Sequence, residues 1–219
     1  MGVIPNVTLE GVFVVYSAET PFFSLMTTEL ESVNQMLGHI GEAPINSIAN
    51  SEALPVSANV ALTTLREVAR EVQTEEWHFN TVTDHSISPD ADNKIPLPAK
   101  TLFVDAVDNT DDYVQRGSYL YNRKDRTFTF TSSVKVDLTE ELVWEDLPEV
   151  AKRYITLRAS RIFQGRIVGS RELESLIAVD EMQARARLQE LDSQSSDRTI
   201  FDSQDVQYRL GVRRKYNIR

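Results

Sequence analysis

The hydrophobic pattern of this 219-residue chain changes period twice, and that order restricts the folds open to it. Apolar residues recur at helical spacing up to about residue 76, alternate with period two from Thr81 to about Trp144, and return to helical spacing afterwards. A chain ordered helices, strands, helices cannot be a doubly wound α/β protein, which needs strands and helices in alternation. The expectation is an α+β fold: a four-helix bundle with a small antiparallel β-sandwich or barrel inserted between the second and third helices.

The first helix is expected over 28–39. Thr28 is its N-cap, Glu31 completes a capping box, and Leu30, Val33, Leu37 and Ile40 share one face. Gly38 and Gly41 end it. A second helix is expected over 56–76, entered at Pro55, with Ala58, Ala61, Leu62, Leu65, Ala69 and Val72 as its stripe. Arg66 and Arg70 each lie within a turn of an acid on that helix, so local surface pairs are expected. Trp77, His78, Phe79 and Asn80 follow at the helix exit, where buried aromatics are expected to close the core and His78 to pack among them.

Val82, Ile87, Ile95, Leu97 and the Leu102-Phe103-Val104 run read as strand-like, with Pro96 and Pro98 marking an edge or bend. Tyr113–Tyr121 and Thr127–Thr131 are expected to frame a hairpin turning at Asn122–Arg126, with Tyr119, Tyr121, Phe128 and Phe130 on one face. Val134, Val136, Leu138 and Leu142 to Trp144 supply the last strand region. Asp146 is expected to cap a third helix over 147–165, with Pro148 in its first turn. Ser170 starts a fourth, to about Ser193, with Leu173, Leu176, Ile177, Ala184, Leu188 and Leu191 inward. The expected organisation is therefore an N-terminal extension (1–26), a helical domain in two parts (27–80 and 146–196), a β domain (81–145) and an extended basic tail (197–219).

Composition narrows the chemistry. There is no cysteine, so disulfides and thiolate zinc sites are excluded and stability comes from packing or assembly. No apolar run is long enough to cross a bilayer, and no membrane role is expected. Only three histidines occur, and His78, Asp84 and His85 match no ligand spacing, so no metal site is expected. No phosphate loop or nucleophile elbow appears, and Asp108, Asp111 and Asp112 read as a solvated loop. No catalytic residue, cofactor or enzymatic activity is expected. Acid abundance leaves one enzymatic alternative open, a carbohydrate hydrolase.

Charge is uneven within a net of -10. Residues 1–65 carry acids and no Lys or Arg, an acidic body unsuited to holding phosphates. Residues 197–219 have a basic excess, and Arg209, Arg213, Arg214, Lys215 and Arg219 read as a docking arm for an acidic partner surface. Lys152, Arg153, Arg158, Arg161 and Arg166 fall on several faces of the third helix region, and intersubunit salt bridges are the expected use. Val12–Tyr16, Phe22 and Phe23 are apolar enough to form an arm on a neighbour or an edge strand.

Five motifs occur in order. They are the Glu31–Ile48 run with Ile40-Gly41-Glu42-Ala43-Pro44, then Trp77-His78-Phe79-Asn80, then Ile95-Pro96-Leu97-Pro98, then Tyr119-Leu120-Tyr121-Asn122, and last Leu147-Pro148-Glu149 with Tyr154-Ile155 and Ala159-Ser160-Arg161. Together they resemble the tail tubular protein A family of short-tailed bacteriophages over roughly 27–196. Residues 1–25 depart from that pattern. The resemblance implies a structural virion protein of the tail, made in the host cytoplasm. It implies a homo-oligomeric ring of about twelve subunits that acts as head-to-tail adaptor and gatekeeper. The implied partners are the portal protein, the tail nozzle (tubular protein B) and double-stranded DNA in transit. It brings no catalytic residue onto this sequence.

Overall fold

The computed structural model describes residues 26–107 and 111–195. The fold is α+β, with four α-helices and antiparallel sheets. Helix α1 spans Glu29–His39, α2 Val56–Gln73, α3 Glu149–Ile167 and α4 Arg171–Ser195. Between α2 and α3 run β1 (Thr81–Ile87), β2 (Thr101–Ala106), β3 (Tyr113–Arg116), β4 (Tyr119–Asn122) and β5 (Val134–Glu140).

The start of α1 follows from its capping chemistry. The Glu31 amide donates to Thr28 Oγ1, and the Thr28 amide donates to the Glu31 carboxylate at 2.7 Å. That backbone donor, with the Thr28 hydroxyl, holds the Glu31 carboxyl below its ordinary value. Glycine is needed just past the helix end, because Gly41 has φ +78°. Helix α3 starts differently from the expectation. Asp146 belongs to a short 3-10 turn, Trp144–Asp146, and Pro148 takes the N-cap position without a side-chain hydrogen bond. The extended backbone of Pro148 (ψ 146°) makes the entry, so no acid is required there.

Helix α3 is the centre of the helical core. It packs on α1, α2 and α4 and is buried on most of its circumference, from Ala151 to Gln164. Polar groups on it are satisfied internally: Thr156 Oγ1 lies 3.0 Å from Ser32 Oγ and donates to the Lys152 carbonyl, and Ser160 donates to the Thr156 carbonyl. Val33, Leu37, Leu62, Leu65, Tyr154, Ile155 and Phe163 fill the space between the helices. Trp77 closes this core, donating its indole N–H to the Val72 carbonyl at 2.7 Å. His78 is exposed, so the packing role expected of it falls to Trp77 and to Phe79, which stacks on Trp77 and is partly buried against the same core.

Helix α4 corrects the stripe read from the sequence. Ile177, Glu181, Ala184 and Leu188 face α3, while Leu173 and Leu176 are exposed. The ion pairs of α2 are also tertiary rather than local: Arg66 reaches Glu29 on α1, and Arg70 reaches Glu141 after β5.

A second core lies among the strands, formed by Ile95, Leu97, Val104, Tyr113, Leu120, Phe130, Val136 and Leu138. One sheet has the order β1-β5-β2 and the other pairs β3 with β4. The hairpin turns at Gly117–Ser118, where Gly117 has φ +63°, and not at Asn122–Arg126. Asn122–Thr127 is instead a separate bridged turn, and Thr127–Thr131 is not a strand. The four alternating aromatics therefore divide. Phe130 meets Tyr113 inside, and Tyr121 meets Phe128 near the surface. Pro96 costs no ladder bond, because its neighbours make them: Leu97 N–H donates to Ser118 O and Leu120 N–H to Ile95 O, each at 2.9 Å.

The two chain crossings between helices and strands are tied to each other. Gln73 exchanges both amide bonds with the backbone of Leu142, and Asn80 Nδ2 donates to the carbonyls of Gln73 and Glu140. The β strands thus leave the helical core through one fixed doorway.

His39, in the last turn of α1, links fold to pH. Burial pushes its pKa below the ordinary 6.5, against a smaller upward pull from Asp180 on α4. The folded state therefore favours the neutral ring. Its contribution is complete above the unfolded value of 6.5 and is lost as pH falls through the lower folded value. Unfolding midpoints in urea are expected to drop as pH is lowered from about 7 to about 5, and the drop should be shallower in His39→Gln.

Candidate functional site

The five basic residues singled out on α3 prove to have different environments. Lys152 is buried, and its ammonium donates to the Glu145 carbonyl at 3.3 Å. Arg158 sits 2.6 Å from Glu71 of α2 and 3.7 Å from Glu181 of α4. Arg161 bridges Glu181 at 2.5 Å and Glu174 at 3.7 Å. The hydrogen bond from Arg161 to Glu181 holds that guanidinium above its ordinary pKa, against desolvation. Arg166 pairs with Glu67 at 3.2 Å and donates to Thr64 Oγ1. The pairing seen is thus within the chain, fastening α4 and α2 to α3. Arg153 alone of the five is exposed without an ion pair among the described residues. The sequence did not reveal these partners because Glu67, Glu71, Glu174 and Glu181 lie on other helices. Arg209, Arg213, Arg214, Lys215 and Arg219, expected to dock a partner, and the apolar residues 12–23, expected to form an arm or an edge strand, lie outside the described residues.

Two surfaces stand out that the sequence reading missed. The first is on α4. Leu176 is 67% exposed and Met182 66%, with Leu173 and Val179 between and beside them at steps of three residues. Each such step falls roughly 60° short of a full turn, so the row drifts round the helix away from the buried face. Rows at this spacing are one of the ridges by which helices pack on each other. Ile167 and Val168 are also exposed, at the end of α3. In a stripe reading, Leu173 and Leu176 pass for core; only the position of α3 shows that they are not.

The second surface is the outer face of the β1-β5-β2 sheet. Register puts Thr81, Thr139 and Phe103 level with one another and Asp105 level with Asp137. With Glu76, His78, Thr83, Asp192 and Ser193 they line an open cleft of about 350 Å³. Its carboxylates come from two strands, the helix exit and the end of α4. Asp192 accepts the His78 amide at 2.7 Å, and Asp137 accepts the Asp84 amide at 2.8 Å at a bulge where Asp84 has φ +59°.

Signs of catalysis are weak in both places. The carboxyls displaced in pKa include Glu31 and Glu172, both downward and both at helix starts, which is capping rather than acid catalysis. Asp111 accepts from the Tyr113 hydroxyl and Asp112 pairs with Arg123, so these acids serve the hairpin; Asp108 lies outside the described residues. Among the described residues no group of three or more His, Asp or Glu is placed to hold a metal ion. Among them, too, no helix is long and apolar enough to cross a membrane.

The sequence model of the family described as tail tubular protein matches residues 30–198. A curated relative, tail tubular protein A of Klebsiella phage KP34, is 30% identical over 127 residues, which cover 58% of this chain and 66% of that protein, just under two thirds of its length. The family match spans the helices and the strands described above, and the chain belongs to the tail tubular protein family.

Proposed function

We propose that this protein is a ring-forming head-to-tail adaptor that joins the portal protein to the tail nozzle (tubular protein B) and lines part of the DNA path. Membership of a phage tail family places it among virion tail proteins. The observation that carries the finer reading is the exposed apolar row Leu173, Leu176, Val179 and Met182 on α4. Exposed large apolar side chains on one helix, as here, mark a surface suited to being covered. In a protein that repeats around a closed ring, the neighbouring copy is always present to cover it. Arg153, exposed on α3, is our candidate for an intersubunit pair. The net charge of -10 suits the channel role, since a ring of such subunits repels DNA phosphates from its wall.

In this reading the helical part (27–80 with 146–196) and the basic tail meet the portal, and the β part (81–145) meets the nozzle. Deleting residues 197–219 is expected to weaken portal attachment at least about tenfold while leaving helical content unchanged. Pull-down of truncated and full-length protein on immobilised portal measures this. Equal capture of the two would refute the docking arm.

A carbohydrate hydrolase is the rival reading, and the four carboxylates of the sheet cleft are its only footing. Purified virions and host envelope polysaccharide separate the two. The adaptor reading expects the protein in every tail and no reducing sugar released. Sugar release lost on Asp105→Asn or Asp137→Asn would favour the enzyme.

A further inference from the structure

The cleft on the outer sheet face has a charge imbalance that asks for an occupant. Glu76, Asp105, Asp137 and Asp192 line it, with no Lys or Arg among the lining residues. None of the four is ion-paired with another described residue. Like charges converging in one cleft repel, and a cationic occupant relieves that repulsion. Phe103 stands among them 42% exposed, and Val82, on the other side of the edge strand β1, is 47% exposed. An occupant suited to this place has bases on one side and apolar residues on the other.

The chain carries such a segment, and it sets out from the rim of the cleft. Asp192 and Ser193 form one wall, and α4 ends two residues later at Ser195. Beyond it, Val206, Tyr208, Leu210 and Val212 alternate with Gln207, Arg209, Gly211 and Arg213, followed by Arg214 and Lys215. In extended backbone this alternation puts the apolar side chains on one face and Arg209 and Arg213 on the other. Residues 196–205 between the helix and this segment reach up to roughly 33 Å when extended, enough to bring it back along β1.

We propose that the acidic outer face of the β1-β5-β2 sheet is the docking surface for the chain's own basic tail, residues 206–215. Arg209, Arg213 and Lys215 lie among the carboxylates, and Phe103 stands beside them. The contact is within one chain and does not depend on the adaptor reading. Where the tail also serves a partner, that partner must displace it from this face.

Zero-length carbodiimide coupling tests this on the full chain. It joins an amine to a carboxylate only when the two are in contact, and Lys215 is the one lysine in the tail. An equal mixture of ¹⁴N- and ¹⁵N-labelled protein is coupled and its peptides are read by mass spectrometry. The expected products join Lys215 to Glu76, Asp105, Asp137 or Asp192 without isotope mixing. Their yield should fall about tenfold in high salt, as for any solvent-exposed charge contact, and fall also in Asp105→Asn/Asp137→Asn. Coupling of Lys215 chiefly to other carboxylates, or isotope-mixed products alone, would overturn the proposal. So would a yield that ignores both salt and the substitutions.

Discussion

Leu176→Glu combined with Met182→Glu is expected to leave the protomer folded and to abolish the ring. Both side chains are about two-thirds exposed, so in the isolated chain each change replaces one solvated side chain with another. Such surface changes stay within about 0.5 kcal/mol of neutral. In the proposed ring, the same positions would lie under a neighbouring copy, and each contact would bury two unpaired carboxylates. Desolvating unpaired charges costs several kcal/mol per contact, and each 1.4 kcal/mol is about tenfold in affinity. Light scattering after gel filtration reads the assembly state, and circular dichroism the fold. An intact ring in the double variant would remove α4 from the interface.

Phe163→Ala is expected to act in the opposite way, on the fold itself. Phe163 is fully buried on α3, the helix on which the other three converge. Truncating a buried phenylalanine costs about 3–5 kcal/mol in lost burial and cavity, against a total stability of about 5–15 kcal/mol for a domain. Urea unfolding should show the unfolding free energy lowered by that amount, through a lower midpoint with little change in slope. A shift below about 1 kcal/mol would mean that the site collapses to fill the space, and that α3 is less central than its packing indicates.

The contrast between these residues shows what was legible in the sequence. Local chemistry was readable where it is self-contained. Thr28 and Glu31 form their capping box from positions three apart, and the switch from Ala58–Val72 spacing to strand alternation marks where helices give way to sheet. What depended on the partner across the gap was not readable. Leu173 and Leu176 satisfy a helical stripe as well as Ile177 does, and only the line of contact with α3 decides which of them is covered. The same holds for Arg66 and Arg158, whose acids come from other helices rather than the next turn. The hairpin shifted because a turn at Gly117–Ser118 needs only one positive-φ glycine, whereas the polar run after Asn122 looked the better turn by composition. The acidic cleft could not be seen at all, since Glu76, Asp105, Asp137 and Asp192 are brought together only by sheet register and the end of α4.

Beneath these particulars lies the claim that the surfaces of this chain are shaped for neighbours rather than for a substrate. Electron microscopy of the purified full-length protein, alone and mixed with its portal, tests it most directly. The account predicts closed rings of one size with an open centre, seated coaxially on the portal. Single protomers at micromolar concentration that stay single when the portal is added would contradict it.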